Sequence, residues 1–206
     1  RQIVPYENST GYHIANSFLN SQFLSILSCK YLSYQIIEPY LHLLKGLLML
    51  NSFNPLKQLI VATLYENVFI YNLFTKLTIS NKILTLEDDG NGGTVVTNNE
   101  FIGLKDFFLL LIDSTQIPTN PGFTIIDPSK IVFAIRTLKK EDEMFNYRVL
   151  LFYFTIQKLP EKNRKDIVHQ TYDFICDLAS ESDDENNAIH HLLDLYLENC
   201  EVYEDE

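Results

Sequence analysis

The pattern of apolar and polar positions between Glu38 and Leu77 predicts two helices joined by a short turn. In the first half, apolar residues recur at spacings of three and four, so they share one helical face. These residues are Tyr40, Leu43, Leu44, Leu47 and Leu48. Asn54–Pro55 gives the second helix an N-cap oxygen and a proline whose φ is already helical. We expect this helix to break at Glu66–Asn67, where the apolar face is interrupted.

Upstream of this pair, the same spacing predicts a helix from Ser21 to Ile37. We expect Pro39 to end it, since the residue before a proline avoids the α region. Residues 1–20 are more polar, and their apolar positions predict one short first helix.

Residues 81–100 do not show the helical spacing of the preceding segments. Instead, two β-prone runs flank an acidic turn rich in glycine. The runs are Ile83–Leu86 and Thr94–Thr97, and the turn is Asp88–Gly93. Two interpretations stay open: a small β-hairpin at 83–97, or a flexible Gly/Asp-rich connector at 86–99. The turn lacks the later ligands of a calcium loop and the strand, GxGxxG, helix order of a phosphate loop.

Helix start signals mark the next two helices. Thr97 with Glu100 fits a capping box, in which each side chain binds the other residue's backbone amide. Asp127–Pro128 fits an N-cap followed by a first-turn proline. The segment Ser114–Ile126 between them contains two prolines, so we expect it to run extended over the surface, where binding residues often lie.

Three further helices are predicted towards the C-terminus. Met144–Ile156 is apolar nearly all round, which predicts a helix buried on most sides. Arg164–Ala179 has one apolar stripe and one polar stripe, the latter including His169, Gln170, Asp173 and Asp177. Ser182 with Glu185 fits a second capping box, which would begin the last helix.

About eight or nine helices without strand–helix alternation predict an all-α fold of stacked antiparallel helical hairpins. The chain resembles the armadillo and HEAT class of α-solenoid proteins, because hydrophobic helix pairs begin at Asn54–Pro55 and Asp127–Pro128. The resemblance implies a helical stack that presents a groove or an edge to a protein partner. The apolar spacing predicts a core formed by Leu44, Leu47, Leu59, Ile60, Phe107, Phe108, Leu111, Ile135 and Leu151.

Length and composition favour one helical domain over residues 1–206. The chain has 206 residues, 46% of them hydrophobic, enough to bury a substantial core. It begins with Arg1, so we expect a fragment of a larger protein. Three cysteines at no metal-binding spacing predict reduced thiols and a cytoplasmic or nuclear location. No apolar run reaches the roughly 20 residues that a membrane helix needs, so we expect no membrane contact.

Charge is distributed unevenly along the chain. Residues 166–206 contain 13 Asp and Glu and no Lys or Arg, whereas residues 1–165 hold the other 14 acids and all 16 bases. A nucleic-acid-binding protein would show the opposite bias, so we expect no nucleic-acid partner. The acidic C-terminal part instead predicts a protein partner with a basic surface.

No arrangement of residues in the sequence predicts catalysis, a cofactor or a metal. His190 and His191 are adjacent and point about 100° apart on a helix, unlike an i, i+4 metal pair. His169, Asp173 and Cys176 could be drawn as ligands, but a solvated polar face explains them equally well.

We therefore expect a non-catalytic scaffold or adaptor that binds a protein through a helical groove or its acidic C-terminal face. The candidate contact residues are Asp183, Asp184, Glu185, Ile117, Pro118 and Pro121. The alternatives are a helical regulatory domain that acts on a small GTPase or kinase, and an enzyme whose site the sequence does not reveal.

Overall fold

A computed structural model describes residues 13, 17, 32–49, 69–80, 86–88, 94–96, 98–115, 128–182 and 188–200. Most of these residues are helical, which confirms the all-α class. The elements in chain order are β1 Leu32–Ser33, α1 Tyr34–Met49, α2 Phe69–Lys76, β2 Leu77–Thr78, β3 Leu86–Asp88, β4 Thr94–Val96, α3 Asn99–Thr115, α4 Pro128–Ile135, α5 Phe145–Lys158, α6 Glu161–Ser180 and α7 Ala188–Cys200. Asn54–Pro55, Glu66–Asn67 and the segment 21–31 lie outside the described residues.

The described helices pack in two series. Helix α1 packs on α3, α3 on α5 and α5 on α7, while α2 packs on α4 and α4 on α6. Contacts of α5 with α2 and α6, and of α6 with α7, join the two series. Helix α5 therefore has neighbours on most sides, as the apolar pattern of Met144–Ile156 predicts.

Aromatic rings of α2, α3 and α5 pack against one another in the core. The Phe74 ring stacks on the Phe152 ring with centroids 4.2 Å apart, and it lies 4.8 Å from the Phe108 ring. Such aromatic pairs add about 0.5–1.5 kcal/mol each to the energy of burial. Of the predicted core residues, those with described side chains are buried: Leu44, Phe107, Phe108, Ile135 and Leu151. The side chains of Leu47, Leu59, Ile60 and Leu111 lie outside the description.

Two short strand pairs accompany the helices. β3 and β4 pair antiparallel, with Leu86 opposite Val96 and Asp88 opposite Thr94, so the hairpin interpretation is the one that the pairing supports. The described part of its first strand is Leu86–Asp88, and the predicted start at Ile83 lies outside the described residues. β1 and β2 form a parallel pair that was not predicted, and the Thr78 hydroxyl donates to the Leu32 carbonyl at 3.1 Å. A ladder of two residues has no periodicity for a sequence pattern to reveal.

Helix α1 differs from its prediction in two ways. It continues through Pro39, so the expected helix end at this proline is wrong. The proline removes the donor to the Gln35 carbonyl, but both residues are exposed, so water can bind that oxygen. The buried face consists of Tyr34, Ile37, Leu41, Leu44 and Leu48, whereas Leu43 is exposed. The predicted face was therefore rotated from the true one.

The first capping box needs correction. Asn98 caps α3, because its Oδ1 accepts from the Phe101 amide at 2.9 Å, and Thr97 lies outside the described residues. Glu100 instead accepts a hydrogen bond from the Ser80 amide. The described part of α7 is Ala188–Cys200, and Glu185 of the second capping box lies outside the described residues, so that box stays a prediction. The Ser182 amide donates to the Ala179 carbonyl in the last turn of α6. The predicted proline start of α4 at Pro128 is confirmed.

Candidate functional site

The predicted contact residues all lie outside the described residues, so their positions stay predictions. They are Asp183, Asp184, Glu185, Ile117, Pro118 and Pro121. The acidic character that led to three of them continues, however, on the described parts of α6 and α7.

An acidic stripe runs along the exposed side of α6. Asp166, Asp173 and Asp177 are all exposed, and their spacings of seven and four residues place them on one line of the helix. Asp173 and Asp177 belong to the predicted polar face. Asp166 was missed there, although its position seven residues before Asp173 was the signal that could have revealed it.

The opposite side of α6 holds this stripe in place. Ile167, Thr171 and Ile175 are buried against the core. The hydroxyls of Thr171 and Tyr196 are 2.8 Å apart and join α6 to α7 inside the protein. The Arg136 guanidinium donates to the Gln170 carbonyl at 2.8 Å and joins α6 to the end of α4. The stripe is therefore a fixed row of charges on a packed helix.

The stripe is not explained by helix stability. Like charges at i, i+4, such as Asp173 and Asp177, destabilise a helix by about 0.2–0.5 kcal/mol. No Lys or Arg follows Lys165 in the sequence, so α7 supplies no base to compensate them. Asp194 and Glu198 on α7 are also exposed and add to the negative charge. What the arrangement offers is attraction for a cationic surface.

A second exposed surface is apolar. Ile36 and Leu43 are seven residues apart on α1 and are 57% and 47% exposed. They lie on the side of α1 away from its buried face.

Among the described residues, Arg148 is the most buried charged side chain, and it contacts other parts of the protein. Its Nε lies 2.9 Å from Oδ2 of Asp142, and its guanidinium also donates to the Phe74 carbonyl at the end of α2. Burial lowers the pKa of Arg148, while the Asp142 carboxylate opposes that shift. The arginine therefore joins α2, α5 and the turn before α5 through one ion pair and one hydrogen bond.

Two of the described residues are cysteines, one on α6 and one on α7. Cys176 and Cys200 are both half-buried free thiols. A hydrogen bond to Cys176 is the main cause that raises the pKa of the Tyr172 hydroxyl, and burial raises the pKa of Cys200. A raised thiol pKa leaves less thiolate at neutral pH, so Cys200 lacks the feature that activates catalytic cysteines.

Within the described parts of the chain, no group of three His, Cys, Asp or Glu side chains is arranged to hold a metal ion. None of the helices searched there has the length and apolar character needed to cross a membrane. Comparisons with models of protein families, with curated proteins and with solved structures found no match to the chain.

Proposed function

We propose that this chain is a non-catalytic protein-interaction domain that docks a basic partner surface on the acidic stripe of α6. The observation that carries the proposal is the line of Asp166, Asp173 and Asp177 on a helix whose other side is packed. The predicted contact residues Asp183–Glu185 follow α6 in sequence and would extend the same charge. We expect this interaction in the cytoplasm or nucleus, where thiols stay reduced.

The proposed architecture is a stack of antiparallel helical hairpins. Two series of helix contacts, α1–α3–α5–α7 and α2–α4–α6, support it. In such a stack, the first helix of one hairpin packs on the first helix of the next, and the second helix packs on the second. A stack of this kind presents the outer sides of its helices as one extended surface, which suits a scaffold or adaptor.

The stripe favours electrostatic docking over other modes. The chain has a net charge of −11, and the part after residue 165 has no base. Such a field speeds the approach of a cationic partner, and the gain falls with ionic strength as the Debye length shortens from about 30 Å at 0.01 M to about 8 Å at 0.15 M. Because the stripe lies on a packed helix, its backbone is already ordered, so binding costs little conformational entropy.

A pair of variants with equal charge changes tests the proposal. Asp173→Asn/Asp177→Asn alters the stripe, and Glu141→Gln/Glu143→Gln removes two acids from the turn between α4 and α5. Proximity labelling in cells with the wild-type chain and both variants would identify a partner. We expect a partner that the wild type and the turn variant label and the stripe variant does not. Its purified association rate should fall as salt rises.

The proposal fails under either of two results. In one, both variants label the same partners as the wild type. In the other, the purified partner associates with the stripe variant as fast as with the wild type across the salt series. Circular dichroism of both variants would establish that each is folded before the comparison.

A further inference from the structure

We draw no further inference here: the strongest candidate, the exposed apolar surface patch at Ile36 and Leu43 on α1, is a helix face for which nothing in the described part of the structure shows what covers it.

Discussion

Gly103 of α3 lies directly against Tyr34 of α1. A Cβ built on Gly103 would overlap the Tyr34 hydroxyl and lie 3.2 Å from Tyr34 Cζ, whereas a Cβ on Gly46 would meet nothing within 4 Å. We predict that Gly103→Ala lowers the free energy of unfolding by about 1–3 kcal/mol through overpacking. Gly46→Ala should raise it by about 0.5–1 kcal/mol, because alanine favours the helix.

Urea unfolding of the two variants checks this contrast. Tyr34→Phe removes the overlapping oxygen, so it should recover part of the loss in the Gly103→Ala background. Shifts of both glycine variants in the same direction would contradict the described contact between α1 and α3.

Asp142 balances a buried cation. Replacing it by Asn keeps the Oδ1 that accepts from the Met144 amide at 2.9 Å but removes the charge facing Arg148. We predict a loss of about 2–3 kcal/mol, below the range for fully buried pairs because Asp142 is one-third exposed. Asp113→Asn, which breaks the exposed pair with Lys158, should cost about 0–1 kcal/mol. Equal urea midpoints for the two variants would show that the charge of the Asp142 carboxylate does not stabilise the buried Arg148.

Two buried tyrosines link stability to alkaline pH. Burial raises the pKa of Tyr147 and of Tyr196 above the unfolded value of about 10. Below that pH both states keep the phenol proton, and above it the unfolded state loses protons that the folded state retains. We predict that the free energy of unfolding, measured by urea titration, is steady up to about pH 10 and then falls by up to about 1.4 kcal/mol per pH unit for each tyrosine.

Phenylalanine variants separate the two residues. The Tyr147 hydroxyl has no hydrogen-bond partner in the described part of the structure, so Tyr147→Phe should reduce the alkaline slope without loss at neutral pH. Tyr196→Phe removes the bond to Thr171 and should cost about 0.5–1.5 kcal/mol at neutral pH. An alkaline slope unchanged by both variants would mean that other groups cause the fall.

At the scale of elements, the sequence predicted burial correctly where the apolar pattern was compatible with only one orientation of the helix. Helix α5 is apolar all round and became the helix with neighbours on most sides. Helix α1 has apolar residues on more than one side, so spacing alone could not choose between a face with Leu41 and one with Leu43. Pro39 was misjudged because its effect depends on whether the freed Gln35 carbonyl reaches water, a tertiary property.

The orientation of α1 gives a matched test within one helix. Leu41 is buried and Leu43 is exposed, and both change to alanine with the same loss of atoms. We predict that Leu41→Ala costs about 2–5 kcal/mol through cavity formation, and that Leu43→Ala costs about 0.5 kcal/mol or less. The reverse order of urea midpoints would restore the face predicted from sequence.

At the scale of the whole molecule, the negative charge of the candidate site could be predicted from the sequence, but its position on the surface could not. The absence of bases after Lys165 revealed the acidic C-terminal part, and helical spacing placed Asp173 and Asp177 outward. The stripe became defined only when packing fixed the rotation of α6 through Thr171 and Tyr196. That hydrogen bond joins residues 25 apart, a distance over which local patterns carry no information.

The uneven charge also predicts how the whole domain responds to salt without any partner. With a net charge of −11, the acidic side chains repel one another in the compact state. Salt screens this repulsion, so it should stabilise the fold. We predict that the thermal midpoint rises as sodium chloride increases from about 0.01 M to 0.15 M. Asp173→Asn/Asp177→Asn should raise the midpoint at low salt and flatten its salt dependence. Glu141→Gln/Glu143→Gln should do less, because Lys139 and Lys140 lie beside those acids in the chain. A midpoint that falls with salt would show that attractive pairs, not repulsion among the C-terminal acids, dominate the electrostatics of the fold.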